Sequence, residues 1–275
     1  MVPILWQGGP LTLGTHDAFA MLAIVVGFTI YYASLKRRGW LDERILLVSL
    51  AVVLGGMIGA RLVTGWERLD DLGRAMDSGT SLSYALMHGN RSLVGALVGG
   101  YLAGVVAKRA LGYTRSTGDA YVFALPVAIA IGRVGCFLSE LPLGVASDLP
   151  WAVAVSADAA AAFPRCPDCD LPMHPSMLYE VAFNLVALGA IAAARSRVPV
   201  NGDLLKAYLL AAALFRFFVE LVRGNEVQAL GLTGPQLVLI PCVMLLVAHF
   251  VRQVHRGVYR VPDAPPPVVR VSADG

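Results

Sequence analysis

Charge is scarce in this chain. Of its 275 residues only 15% are Asp, Glu, Lys or Arg, against 57% hydrophobic, and the mean hydropathy is +0.66. A soluble domain of this length carries roughly a quarter of its residues as charges, so a water-exposed globule is excluded. The formal net charge of +3 is small, and no basic cluster resembles a nucleic-acid-binding surface; no nucleic-acid partner is expected. Residues 1–13 contain no basic stretch ahead of an apolar one, which argues against a cleavable signal peptide. No internal repeat relates one half to the other, which argues against the paired broken helices of a secondary transporter for organic anions.

What is present is a series of apolar runs of roughly 20 residues, each long enough to cross a bilayer as a helix. Seven spans are read, at about 18–35, 44–64, 92–107, 119–138, 176–194, 203–222 and 235–251. The expected fold class is therefore an all-α polytopic membrane protein. One transmembrane domain is expected over residues 1–260, followed by a Pro-rich, disordered tail over 261–275. Gly55, Gly56, Gly59, Gly95, Gly99 and Gly100 are spaced for close helix–helix approach, and packing alone explains them. Basic residues concentrate in alternate loops: Lys36, Arg37, Arg38 and Arg44; Lys108, Arg109 and Arg115; Arg195, Arg197 and Lys206; Arg252, Arg256, Arg260 and Arg270. The positive-inside bias makes those loops cytoplasmic, with the N-terminus outside and the C-terminus inside. Two longer outer loops follow, about 65–91 and 139–175, and residues 151–155 lie at the interface or form a short strand.

A few ionisable residues sit inside the apolar runs, where each carries a cost of several kcal/mol. Helical rise places Arg133 about 21 Å from the inner end of its span, Arg216 about 20 Å, Glu220 about 26 Å and Arg61 about 26 Å, all in the outer half of a hydrocarbon core roughly 30 Å thick. Arg216, Glu220 and Arg223 share one helix face. Glu180 and Asn184 share another, on a helix that begins near Ser176 or His174 around Pro175. The bland alternatives remain open: Arg61 snorkels to the headgroups, and Arg216 with Glu220 forms a neutralised structural pair. Arg133 stands between Gly132 and Gly135, which favours a pocket wall over a lipid-facing position. Several guanidiniums at headgroup depth suit a phosphate, which each can grip through two N–H groups.

The segment Gly132-Arg133-Val134-Gly135-Cys136-Phe137-Leu138-Ser139-Glu140-Leu141-Pro142-Leu143-Gly144 resembles the signature of the prolipoprotein diacylglyceryl transferase family. Three further segments resemble the same family in the same order: Gly59-Ala60-Arg61-Leu62, then His174-Pro175-Ser176-Met177-Leu178-Tyr179-Glu180, then Arg216 to Arg223. The resemblance spans nearly the whole chain. It implies a multi-pass protein of the bacterial inner (plasma) membrane and a transferase for lipoprotein biosynthesis. Such enzymes move diacylglyceryl from phosphatidylglycerol to the lipobox cysteine of a prolipoprotein, so the implied partners are that phospholipid, the lipobox peptide and the bilayer. Arg133 and Arg216 would clamp the phosphodiester, with Glu220 orienting an arginine or accepting a proton. Arg61, Gly132, Gly135, His174, Tyr179, Glu180 and Arg223 would line the phospholipid site. No cofactor or metal is implied.

The chain also departs from that family. Val94 stands where a catalysis-linked histidine opens the third span, and the nearest histidine, His88, is six residues earlier. Cys136 and Ser139 replace two asparagines, Leu141 falls at the signature glutamate with Glu140 one position off, and Ala212 replaces a frequent tyrosine. His88 and His174 are candidate general bases, or simply loop and cap residues. An alternative reading is therefore a family member that binds or moves an anionic phospholipid without the transfer. The pair Cys166 and Cys169 reads first as a local disulfide on the oxidising side, with zinc binding and thiol exchange as weaker alternatives. Cys136 reads as buried and inert, and Cys242 as packed among helices or lipid.

Overall fold

The computed structural model describes residues 4–8, 11–67, 92–140, 144–157, 171–198 and 200–259. Among them are seven helices: α1 (Thr15–Arg37), α2 (Glu43–Glu67), α3 (Leu93–Ala110), α4 (Ala124–Leu138), α5 (Ser176–Ala194), α6 (Asp203–Val219) and α7 (Gly234–His255). Five of them, α1, α2, α3, α5 and α7, are long and apolar enough to cross a membrane, and α4 is a shorter apolar helix. Two small hairpins complete the described elements. β1 (Ile4–Gly8) pairs with β2 (Leu11–Gly14), and β3 (Val227–Ala229) pairs with β4 (Leu232–Thr233), both antiparallel. Residues 68–91, which hold His88, residues 158–170, which hold Cys166 and Cys169, and the tail beyond 259 lie outside the described residues.

The seven expected spans coincide with the seven helices, and the main difference is in the fourth. Residues 118–120 form a separate 3-10 turn, and α4 begins only at Ala124. Pro126 explains the break, because it lacks an N–H and fits the first turn of a helix but not its interior. The large apolar side chains that remain exposed, such as Ile24 at 71% and Val186 at 73%, are those a lipid-facing surface requires.

The helix ends are closed locally. Ser92 Oγ accepts from Gly95 N at 3.2 Å at the start of α3, and Asp42 Oδ1 accepts from Ile45 N at 2.7 Å at the start of α2. At α7, Thr233 and Gln236 form a reciprocal capping box. The start of α6 is served from a distance: Asp119 Oδ1 accepts from Leu205 N at 3.1 Å. Gly202, at φ +93°, makes the left-handed turn that brings the chain there.

Packing is closest between α2 and α3. A Cβ on Gly59 would stand 2.3 Å from Gly95 O, and one on Gly99 would stand 2.3 Å from Gly55 O. Only glycine permits backbones this near, and in lipid such close contact is what drives helix association. On the other side α1 packs along α4, where a Cβ on Gly135 would meet Phe19 Cβ at 2.3 Å. At the α1–α2 turn the guanidiniums of Arg38 and Arg115 lie over the Trp40 ring, 4.9 and 5.5 Å from its centroid. α4, α5 and α6 then stand side by side, and this arrangement makes the site.

Candidate functional site

Glu180 is the centre of the buried charge. It lies in the second turn of α5 and is 4% exposed. Its Oε2 lies 2.6 Å from Arg133 Nε on α4. Its Oε1 lies 3.2 Å from Arg223 Nη1, just past α6, and 3.7 Å from Arg216 Nη1 on α6. Arg216 Nη2 also lies 2.6 Å from Glu220 Oε2, one turn further on. Three guanidiniums thus meet two carboxylates, which leaves one excess positive charge in a low-dielectric setting.

Glu220 is itself held by neutral donors. Thr233 Oγ1 donates to its Oε1 at 3.1 Å, and Asn225 Nδ2 donates to the same oxygen. Gln236 Nε2 donates to Phe217 O at 3.2 Å, which ties α7 to the end of α6. Behind Glu180, Tyr208 OH donates to Asn184 Oδ1 at 2.7 Å, and Asn184 Nδ2 donates to Glu180 O at 2.7 Å. The cluster is therefore rigid at its back. It still has unused donors: Arg216 Nη1 and Arg223 Nε are buried without a hydrogen-bond partner. Buried N–H groups left in this state ask for an acceptor.

A loop covers this end of the bundle. Residues 144–157 and 171–175 are laced by backbone bonds, Val153 with Met173 in both directions and His174 N to Val145 O, each at 3.0 Å. Val145 N donates to Val222 O at 3.0 Å, which fixes the loop to the end of α6. Gly144 sits in the gap, where a Cβ would meet Val222 O at 2.4 Å. Met173, fully buried, packs with Met177 against Cys136 and Phe137. On the rim Trp151 Nε1 donates to Tyr179 OH at 2.9 Å, and Tyr179 OH is 3.1 Å from His174 Nδ1. Nearby, Ser156 N donates to Glu140 Oε2 at 3.0 Å and Ser156 Oγ to the same oxygen. These bonds from Ser156 hold the Glu140 carboxyl below its ordinary pKa.

Below the cluster runs a cleft of about 360 Å³ between α3, α6 and α7. Glu180 and Arg216 stand at one end of it, Lys206 and His249 at the other, and the wall between is mostly apolar, with Tyr208 and Asn184 set in it.

The structure joins Arg133, Arg216, Glu220, Arg223 and Glu180 into one cluster and puts His174 and Tyr179 on its rim. Arg61 lies on α2, whereas the guanidiniums on the two carboxylates come from α4 and the α6 end. Gly135 is needed for the contact of α4 with α1, whereas nothing lies within 4 Å of a Cβ on Gly132. Val94 lines the cleft, and Cys136 stands beside Arg133 with a free thiol. Sequence reasoning missed Thr233, Asn225, Tyr208 and Trp151. Each is an ordinary polar or aromatic residue at a helix end or in a loop, and only its partner gives it meaning.

The fold and site define a polytopic helical protein with arginines and glutamates buried together beside an apolar cleft. The family model described as prolipoprotein diacylglyceryl transferase matches residues 3–252, and the chain belongs to that family. The chain is 32% identical to a phosphatidylglycerol--prolipoprotein diacylglyceryl transferase of Azotobacter vinelandii over 257 residues, covering 88% of this chain and 90% of that one. It is 28% identical to proteins of the same name from Bordetella bronchiseptica, over 88% of this chain and 91% of the relative, and from Vibrio atlanticus, over 94% and 93%.

Proposed function

We propose that the protein is a transferase of lipoprotein biosynthesis in the bacterial inner membrane, with the Glu180 end of the bundle at the outer face. Its donor is phosphatidylglycerol and its acceptor the lipobox cysteine of a prolipoprotein. The observation that carries this reading is the convergence of Arg133, Arg216 and Arg223 on Glu180, with Arg216 Nη1 and Arg223 Nε buried without a hydrogen-bond acceptor. Relatives that carry this activity in their names match across nearly the whole chain.

The chemistry assigned to the site is a displacement at carbon. The acceptor thiolate attacks the glyceryl carbon that carries the phosphate ester, the C–O bond breaks, and glycerol phosphate leaves with the bonding pair. Sulfur keeps the diacylglyceryl group as a thioether. Negative charge gathers on the leaving phosphate, and Arg133 and Arg216 are placed to stabilise it. Glu220 orients Arg216, since Thr233 and Asn225 already donate to its other oxygen. The thiol proton goes to His174, whose Nδ1 is held by Tyr179. The acyl chains lie in the cleft between α3, α6 and α7.

The test is an assay of the purified chain with phosphatidylglycerol and a lipobox peptide, following glycerol phosphate and the mass of the peptide. Release of glycerol phosphate with a diacylglyceryl mass added to the peptide supports the assignment; folded protein that yields neither product removes it. A second reading, lipid binding without transfer, is favoured by one observation: Val94, apolar and 6% exposed, lines the cleft, at the position that the resemblance matches to the family's catalysis-linked histidine. It predicts phosphatidylglycerol binding that depends on Arg133 and Arg216, with no product.

A further inference from the structure

We propose that the end of the cleft opposite the arginines is a second headgroup site, which takes the phosphate of an anionic phospholipid from the leaflet at that end. In the orientation proposed above this is the cytoplasmic leaflet, so the leaflet assignment rests on that reading and the site itself does not.

Asp203, 1% exposed, opens α6 and organises this end. Its Oδ1 lies 2.9 Å from Lys206 Nζ and 2.8 Å from His249 Nε2, and those two nitrogens are 3.2 Å apart. Its Oδ2 accepts from Tyr259 OH at 2.5 Å and Gln253 Nε2 at 3.5 Å. Four donors saturate the carboxylate. Lys206 has three N–H groups, and only the one on Asp203 is occupied, because His249 Nε2 gives its own proton to Asp203 and cannot also accept from Lys206. Both Lys206 and His249 line the cleft. Lys108 on α3 is an electrostatic neighbour of Lys206, and Arg252 lies one turn beyond His249 on α7. Two carboxylates at this end, Asp203 and the Asp119 that accepts from Leu205 N, answer Lys206, Lys108 and Arg252, and an anion completes the balance.

The dimensions point to a lipid. Lys206 and Arg216 are ten residues apart on α6, which is about 15 Å of rise. That is about half of a hydrocarbon core roughly 30 Å thick, the depth of one leaflet. A phospholipid with its phosphate at Lys206 can lay an acyl chain along Leu209, Ala213 and Leu246 toward Arg216. A charged headgroup moved along this mostly apolar wall would lose its hydration, so the lipid arrives from its own leaflet. A donor lipid held at Arg216 lays its chains along the same wall, so the two lipids exclude each other.

The experiment uses the full chain in phosphatidylcholine vesicles that contain a minor fraction of phosphatidylglycerol with a diazirine beside the phosphate. Irradiation and peptide mapping locate the headgroup. Label is expected at two places, residues 203–210 with 245–253 and residues 174–180 with 216–223, and never both on one molecule. Lys206→Gln and His249→Gln are each expected to cut labelling of the first place about tenfold, the worth of one charge-assisted hydrogen bond, and to leave the second undiminished or raised, since its competitor is weakened. Lys206→Arg is expected to keep it. In the wild-type chain, which needs no variant to fold, unlabelled phosphatidylglycerol is expected to displace this label and extra phosphatidylcholine is not. The proposal is overturned by no label at the first place, by label that both variants leave undiminished, or by equal displacement with phosphatidylcholine. Displacement by inorganic phosphate as effective as by lipid overturns the lipid and leaves a free anion. Chains labelled at both ends overturn the exclusion. Loss of label at the second place alone counts against the donor site and not against this one.

Discussion

Arg133 Nε and Glu180 Oε2 are 2.6 Å apart, and this contact joins the last turns of α4 to the second turn of α5. Glu180 takes Arg216 and Arg223 on its other oxygen, so one carboxylate holds three arginines from two further segments of chain. A phosphate presents the same kind of acceptor surface. Glu180 thus keeps the guanidiniums gathered and pointed when no phosphate is there.

Glu180→Gln tests that relation. It keeps the side-chain shape and removes the charge, leaving three cations against Glu220 alone. Breaking a buried pair of this kind costs about 3–5 kcal/mol, because the remaining charge is uncompensated. The melting temperature in detergent is expected to fall. Phosphatidylglycerol is expected to restore more of it in the variant than it adds to wild type, since the phosphate replaces the lost anion. Equal lipid stabilisation in both proteins would show that Glu180 and the phosphate do not share these arginines.

Arg216→Lys separates geometry from charge. Arg216 reaches Glu180 with one amino group and Glu220 with the other, and a lysine offers a single point of charge. Turnover is expected to drop more than tenfold in the glycerol phosphate assay, with thermal stability less affected than in Glu180→Gln. Wild-type turnover in the lysine variant would mean that charge alone suffices.

Much of this was legible in the chain before any coordinates. Arg133 and Arg216 announce themselves because a guanidinium in an apolar run is costly, and helical rise alone put them at one depth. The glycines of α2 and α3 were readable as a close packing seam for the same local reason. Glu180 was visible as a polar residue sharing a face with Asn184, but its place at the centre depends on α4, α5 and the α6 end meeting. Thr233 and Asn225 lie in and beside a hairpin, and no periodicity signals that they hold Glu220. Asp203 is instructive in the other direction. At the start of a helix it reads as a favourable end charge, and only the fold brings His249, Gln253 and Tyr259 to it from about fifty residues away.

The rim network of Trp151, Tyr179 and His174 makes a prediction of its own. Tyr179→Phe removes the hydroxyl that accepts from Trp151 and meets His174, while keeping the ring. The loop over the site stays attached through its backbone bond to Val222 and the packing of Met173 against Met177, Cys136 and Phe137, so the fold is expected to survive. The peptide KM is expected to rise several-fold and kcat to fall, because His174 loses its orientation. An unchanged kcat at saturating peptide would reduce the tyrosine to a surface contact.

Ser156 and Glu140 give a pH test outside the membrane spans. The Glu140 carboxyl is held below its ordinary value, first by the Ser156 hydroxyl and then by the Ser156 N–H. A depressed carboxylate contributes stability that is present above its unfolded pKa of about 4.5 and is lost as pH falls through its lower folded value. Ser156→Ala is therefore expected to unfold at lower temperature than wild type at neutral pH, with the gap closing as the pH drops below about 4.5. A gap that persists undiminished into strong acid would mean that the serine acts by packing.

Two glycines that look alike in sequence are predicted to behave oppositely. A methyl group on Gly59 would stand 2.3 Å from Gly95 O and 2.8 Å from Gly99 Cα, so α2 and α3 must separate to admit it. Overpacking of this kind costs about 1–3 kcal/mol, and backbone cannot move aside as a side chain can. A methyl on Gly132 meets nothing within 4 Å, on a helix where alanine is the better former by about 1 kcal/mol. Gly59→Ala is thus expected to lower the melting temperature, and Gly132→Ala to leave it unchanged or raise it slightly. The comparison is made in one detergent, by thermal unfolding of both variants beside wild type. A destabilised Gly132→Ala would place an unseen neighbour against α4, and a neutral Gly59→Ala would mean that the α2–α3 seam yields more easily than its backbone contacts imply.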